Sequence, residues 1–123
     1  MMSDSELKYE QPLPMSRREL EESFRSDSGE RVRDALISAF YTEEGCWVQD
    51  WCLRLVDHPD SIARYGVAVV LGNIAIVRGN DIDLMKCLEA VEKLSSDPEE
   101  RVKVAAGDAL LDVLHAIKLR EVS

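Results

Sequence analysis

The sequence is that of an acidic chain of single-domain size. It has 123 residues, 46% of them hydrophobic, and 24 acidic against 15 basic residues give a formal net charge of −9. This length and apolar content suffice for one hydrophobic core and argue against a disordered chain. The negative charge opposes binding to nucleic acid, because lysine and arginine drive that binding, and it favours a basic protein partner.

Export and membrane insertion are not expected. The first residues carry acids where a secretory signal needs a basic segment followed by an apolar one. The longest apolar run, residues 66–77, is shorter than the ~20 residues of a membrane span. Cys46, Cys52 and Cys87 include no CxxC pair, so we interpret them as reduced, buried small residues. The sequence therefore predicts a cytoplasmic protein.

In chain order, a polar arm precedes a series of helices. Residues 1–15 contain Pro12 and Pro14 and show no sustained apolar period, which predicts a flexible N-terminal arm. Ser16 and Glu19 then have the spacing of a capping box, in which each side chain accepts a hydrogen bond from the other residue's backbone N–H. A first helix is therefore expected to begin next to Ser16.

Later helix starts carry similar signals, namely two more capping-box pairs and two prolines expected in first turns, where a missing N–H costs nothing. These residues are Asp27 with Glu30, Asp97 with Glu100, Pro59 and Pro98. The apolar spacing predicts six helices near 17–26, 29–41, 44–57, 60–77, 81–95 and 98–118. A helical domain over 16–118 and a C-terminal tail over 119–123 follow.

The helices repeat in pairs. A shift of 39 residues sets Leu71 on Leu110, and a shift of 31 sets Phe24 on Leu55. Helical pairs at this spacing stack into solenoids, because no pair can bury its apolar face alone. We therefore predict an all-α fold in which Gly66 and Gly107 allow close helix contact. The expected buried spine is Ala35, Leu36, Phe40, Leu55, Val67, Val70, Leu71, Ile74, Ala105, Ala106, Ala109, Leu110 and Val113.

The repeated unit resembles a HEAT repeat, with a proline turn, a basic residue after a small apolar one, and aliphatic residues at helical spacing. The residues that carry the resemblance are Pro59, Ala63, Arg64, Gly66, Leu71 and Gly72, then Asp97, Pro98, Val102, Lys103, Ala105, Ala106 and Leu110. The first repeat departs from the pattern at Ser28. Over residues 17–117 the resemblance implies a right-handed α-solenoid of three HEAT-like hairpins, whose second helices line a concave side.

Small size, acidity and helical repeats together resemble the immunity proteins of bacterial polymorphic and contact-dependent growth inhibition toxin systems. The resemblance implies a non-catalytic protein that covers a basic toxin domain, such as a nuclease, and blocks its active site. The alternative is a HEAT-like adaptor or regulatory subunit that scaffolds its partner. The sequence does not indicate an oligomeric state.

Groups that could support catalysis are sparse. His58 and His115 lack the spacing of an HExxH site, and we interpret them as a helix cap and a surface residue. Cys46 and Cys52 have no HxE or CxxC arrangement that would bind zinc. The glycines do not group into a phosphate-binding loop. We therefore expect no enzymatic activity, no metal and no cofactor.

Candidate partner-binding residues lie off the apolar faces of the second helices and along one edge of the stack. They are Asp34, Ser38, Tyr65, Val69, Asn73, Asp108 and Asp112, extended by Glu43, Glu44 and Trp47. Asp108 and Asp112 repel each other at i, i+4, which a basic partner would relieve, although a merely solvated face is the alternative. Trp51 aligns with Leu20 and is expected in the core, whereas Trp47 is either an exposed anchor or a packed cap.

Overall fold

The protein is all-helical over residues 14–122, the part described by the computed structural model, in which no strand occurs. The helices are α1 (Arg17–Phe24), α2 (Gly29–Thr42), α3 (Gly45–Leu55), α4 (Ser61–Arg78), α5 (Leu84–Leu94) and α6 (Glu100–Val122). Their order and number confirm the predicted fold class. Most of the expected arm, residues 1–13, lies outside the described residues.

The ends of the helices differ from the prediction in places. Helix α6 continues to Val122, so the expected tail is wrong for residues 119–122. These positions hold Leu119, Arg120 and Glu121, which favour a helix, and residues 108–118 contain no glycine or proline that would end it before them. The number and order of the helices are therefore predicted better than the residues at which they end.

The capping signals are confirmed in part. The Ser16 Oγ accepts from the Glu19 N–H at 3.2 Å, and the Glu19 carboxylate accepts from the Ser16 N–H at 3.0 Å, as expected. Helix α2 is capped by Ser28 rather than by Asp27. Neither proline occupies a first turn, because Pro59 precedes the cap Asp60 and Pro98 lies before the first residue of α6.

The helices form a stack of three hairpins, α1 with α2, α3 with α4, and α5 with α6. Helices α2, α4 and α6 make the main contacts between hairpins, and α4 packs against α2, α3, α5 and α6. This central position explains why α4 is apolar on most of its surface. Its residues Val67, Val70, Leu71 and Ile74 are buried.

Helix α4 has the length and composition of a membrane span. The segment Ser61–Asp81 has a mean hydropathy of 1.4 over its most apolar 18 residues, so the argument that the apolar run was too short is wrong. Half of that window is buried inside the fold. A helix packed between four neighbours is expected to have the same composition.

The predicted spine is buried along most of its length. Phe40, Ala105 and Leu110 are half-buried and pack against it. Gly66 allows a close contact as expected, since a Cβ carbon added there would lie 3.1 Å from the Cα of Arg33. Gly107 does not, because an added Cβ would meet no atom within 4 Å.

Polar side chains at the turns join each hairpin to the next. The Asp60 carboxylate accepts from Ile62 N–H in its own helix and from Gly29 N–H in the preceding hairpin, both at 2.9 Å. These two N–H groups lower the pKa of Asp60. His58 Nε2 lies 2.9 Å from the Ser26 carbonyl oxygen, so His58 joins hairpins as well as preceding a cap.

The second junction is an ion pair between Arg64 and Asp97. Arg64 donates to the two carboxylate oxygens at 2.8 and 3.2 Å, and also to the His58 carbonyl oxygen at 2.8 Å. The hydrogen bonds from Arg64 lower the pKa of Asp97. Asp97 is buried, so this pair is better shielded from solvent than the surface pairs.

We expect Asp97→Asn to lower the free energy of unfolding at pH 7 by ~1.5–3 kcal/mol, the range for hydrogen bonds to charged groups. The folded-state pKa of Asp97 is lowered. Its contribution is therefore present above the unfolded pKa of ~3.9 and is lost as pH falls through the folded pKa. Urea unfolding of wild type and variant between pH 7 and pH 3 measures this difference, which should shrink as the pH falls.

The matched control is Asp57→Asn. Asp57 pairs with Lys93 at 2.7 Å, but its side chain is 71% exposed. Asp57→Asn should therefore change the free energy of unfolding by no more than ~0.5 kcal/mol. The free energies of unfolding of wild type and Asp97→Asn should differ more at pH 7 than at pH 3. An equal difference at both pH values would contradict the role given to the Asp97 carboxylate.

Candidate partner-binding groove

A groove of about 610 Å³ runs between α4 and α6, on the second helices of two neighbouring hairpins. Its walls are Tyr65, Ala68, Val69, Gly72 and Asn73 from α4, and Glu100, Arg101, Val104, Ala105, Asp108, Ala109 and Asp112 from α6. We call this feature the α4/α6 groove.

Short side chains form the floor of the groove. A Cβ carbon added at Gly72 would lie 3.0 Å from the Cβ of Ala109, which shows how closely α4 approaches α6 there. Ala68 and Ala105 also line the groove. Longer side chains such as Tyr65 stand beside this floor, so the surface between the two helices is concave.

The α4/α6 groove is acidic. It carries three carboxylates, those of Glu100, Asp108 and Asp112, against the single guanidinium of Arg101. Glu100 lies 3.8 Å from the Lys103 ammonium. Within residues 14–122 the carboxylates of Asp108 and Asp112 have no hydrogen bond or ion pair. Two neighbouring negative charges on one helix face are thus left without compensation inside the described part of the chain.

The sequence-predicted residues divide into two groups. Five of them line the α4/α6 groove, namely Tyr65, Val69, Asn73, Asp108 and Asp112. Asp34 is exposed elsewhere on α2, 3.1 Å from Arg33 Nε. Ser38 is 1% exposed, so its expected place on the binding surface is wrong. The repeat aligns Ser38 with the half-buried Val69, but the first hairpin buries its position completely.

Glu43, Glu44 and Trp47 do not line the groove and instead contact α1. Arg17 Nε lies 2.6 Å from a Glu43 carboxylate oxygen, and its guanidinium lies 4.7 Å from the centre of the Trp47 ring. Trp47 is half-buried against Phe24, so the packed-cap alternative describes it better than the exposed anchor. Glu44 remains exposed. Trp51 is buried, as expected.

The cysteines differ in environment. Cys52 and Cys87 are buried, whereas Cys46 is exposed, so the expectation of burial is wrong for Cys46. Burial raises the pKa of the Cys87 thiol to about 11 and raises the pKa of Cys52 further. Both thiols are therefore protonated at neutral pH and poor nucleophiles.

Between Pro14 and Val122 no group of three or more His, Cys, Asp and Glu side chains is arranged to hold a metal ion. We therefore expect treatment with EDTA to leave helicity and partner binding unchanged. Circular dichroism and the affinity for a partner, each measured before and after chelation, check this. Structure lost in EDTA and restored by zinc or calcium would contradict it.

Sequence reasoning missed several groove residues. Arg101 and Val104 lie on the α6 wall and were not predicted, and neither was Ala68. Ala105 and Ala109 were predicted as core residues only. A signal for Val104 was present, because residues 104, 108 and 111 share one face of an α-helix. Leu111 lies on the same face of α6 and is 68% exposed.

No protein-family model matches the chain, and no curated protein does either. A solved structure is similar along almost the whole of both chains: the crystal structure of a CDI complex from Cupriavidus taiwanensis LMG 19424. The two chains are 25% identical with a TM-score of 0.71, and the match covers 94% of this chain and 97% of that chain. The similarity therefore spans all three hairpins.

Proposed function

We propose that this protein is an immunity protein that binds and neutralises a toxin of a contact-dependent growth inhibition system, abbreviated CDI. The observation that carries the proposal is the similarity to a chain of a CDI complex, which covers almost the full length of both chains. We propose that the protein works by binding rather than by catalysis and that it acts in the cytoplasm.

The proposed mechanism is occlusion of a basic toxin surface. The α4/α6 groove offers carboxylates that have no partner within residues 14–122, on a chain with a formal net charge of −9. Such a surface attracts a cationic partner over long range and raises the association rate. Once bound, the rigid helical stack excludes the toxin's substrate.

Growth protection tests the proposal. The toxin gene is expected directly upstream of the gene for this chain. The C-terminal domain of the upstream gene's product is expressed from an inducible promoter, alone or together with the chain. We expect growth arrest when that domain is expressed alone and normal growth when the chain is also present. A complex of the two should survive size-exclusion chromatography at moderate salt.

The control is a chain that cannot fold, such as Leu71→Asp, which places a charge at a fully buried position. It should not protect. Growth arrest that persists with the wild-type chain present would contradict the proposed function. Binding without protection would instead indicate an adaptor, which holds its partner without inhibiting it.

A further inference from the structure

Helix α6 contains a glycine that its own fold does not require. Gly107 lies in the interior of a helix that runs from Glu100 to Val122. A Cβ carbon added there would meet no atom within 4 Å, unlike at Gly66 and Gly72, where the neighbouring helix is close. Glycine destabilises a helix interior relative to alanine. The described part of the chain gives no packing reason for this cost.

Gly107 lies within a row of exposed apolar side chains. Val104, Leu111 and Leu114 are all large and exposed, and Leu111 is 68% accessible. Together with Gly107 they follow the spacing of three and four residues that forms one seam along a helix. We call these four residues the α6 seam. Contiguous apolar side chains that stay exposed commonly mark an interaction site, so the α6 seam is a candidate contact surface.

The α6 seam is continuous with the α4/α6 groove. Val104 belongs to both, and Asp108 lines the groove directly beside Gly107. The Asp108 carboxylate has no ion pair or hydrogen bond within residues 14–122. A partner that covers the seam would therefore meet an apolar row with a negative charge at its edge.

We infer that the α6 seam docks a helix of the toxin, with Gly107 admitting close approach of that helix and Asp108 pairing with a lysine or arginine on it. This inference rests on the proposed function and names the chemistry of the partner's contact segment: an apolar helix face flanked by a basic residue. Helices approach most closely where one presents a glycine, since no side chain then holds the backbones apart. A second copy of this chain fits less well, because each copy carries a formal net charge of −9.

Substitutions at Gly107 separate folding from binding. Gly107→Ala adds a methyl group into open space, so the melting temperature should rise by about 4 °C. The same methyl group should weaken binding of the toxin domain used in the growth test, purified as a catalytically inactive variant. Gly107→Leu should weaken it about tenfold or more, because the larger side chain fills the site of close approach.

Two controls and a variant at a second position of the α6 seam complete the test. Glu89→Leu adds the same side chain at an exposed position of α5 and should bind like wild type. Leu111→Ser should weaken binding about tenfold, whereas Met85→Ser, at another exposed apolar position, should not. Circular dichroism verifies that each variant is folded.

The outcomes distinguish this inference from the proposed function. If wild type binds the toxin domain and both Gly107→Leu and Leu111→Ser bind equally well, the α6 seam is not the docking site and the proposed function stands. If wild type does not bind, the proposed function is overturned, and so is the inference that the α6 seam docks a toxin helix. If wild type is a dimer and Gly107→Leu a monomer, a second copy covers the seam and the toxin is not its occupant.

Discussion

Leu71→Ala is expected to lower the free energy of unfolding by ~2–5 kcal/mol, the range for a buried leucine truncated to alanine. Leu71 is fully buried in α4, the helix that packs against α2, α3, α5 and α6. The cost of a cavity at this buried position depends on how far the surrounding side chains can collapse into it. Urea unfolding followed by circular dichroism measures the effect.

Leu111→Ala is the matched control, since it deletes the same atoms from an exposed leucine of α6. It should change the free energy of unfolding by no more than ~0.5 kcal/mol. An unchanged melting temperature for Leu71→Ala, or equal losses for both variants, would show that Leu71 does not lie on the core face of α4.

The number and order of the helices could be predicted because they depend on the spacing of apolar residues along the chain. The 39-residue shift placed Leu71 and Leu110 on equivalent faces, and both pack in or against the core. Helix ends depend on choices of similar energy, such as a cap at Ser28 rather than at Asp27. A shift of one residue there leaves the apolar face unchanged, so the sequence pattern does not determine it.

The candidate site was predictable where repeats are equivalent and not where they differ. The shift that pairs Val69 with Asp108 brought both to the α4/α6 groove. The same reasoning failed for Ser38, which the fold buries. It also could not predict that Arg17 would hold Glu43 and Trp47 against α1, since that contact joins residues 26 and 30 positions apart.

Asp108→Lys combined with Asp112→Lys is expected to weaken binding of a basic toxin domain by ~1–4 kcal/mol, mainly through a slower association rate, because Asp108 is exposed and its charge acts on an approaching partner over long range. Both carboxylates line the α4/α6 groove without a partner within residues 14–122. The substitution removes an i, i+4 repulsion between aspartates and creates one between lysines, so helicity should stay near wild type. Stopped-flow association at low and moderate salt measures the rate.

The matched control is Glu89→Lys combined with Glu92→Lys, which changes the net charge by the same amount at exposed positions of α5. If overall charge alone steers the toxin, the two double variants will associate equally slowly. If the groove is the interface, only the Asp108 and Asp112 variant will also dissociate faster, because its lysines face a cationic surface at contact distance, where repulsion is least screened. Wild-type affinity of that variant at low salt would exclude the groove and leave the convex face or the hairpin turns as the binding site.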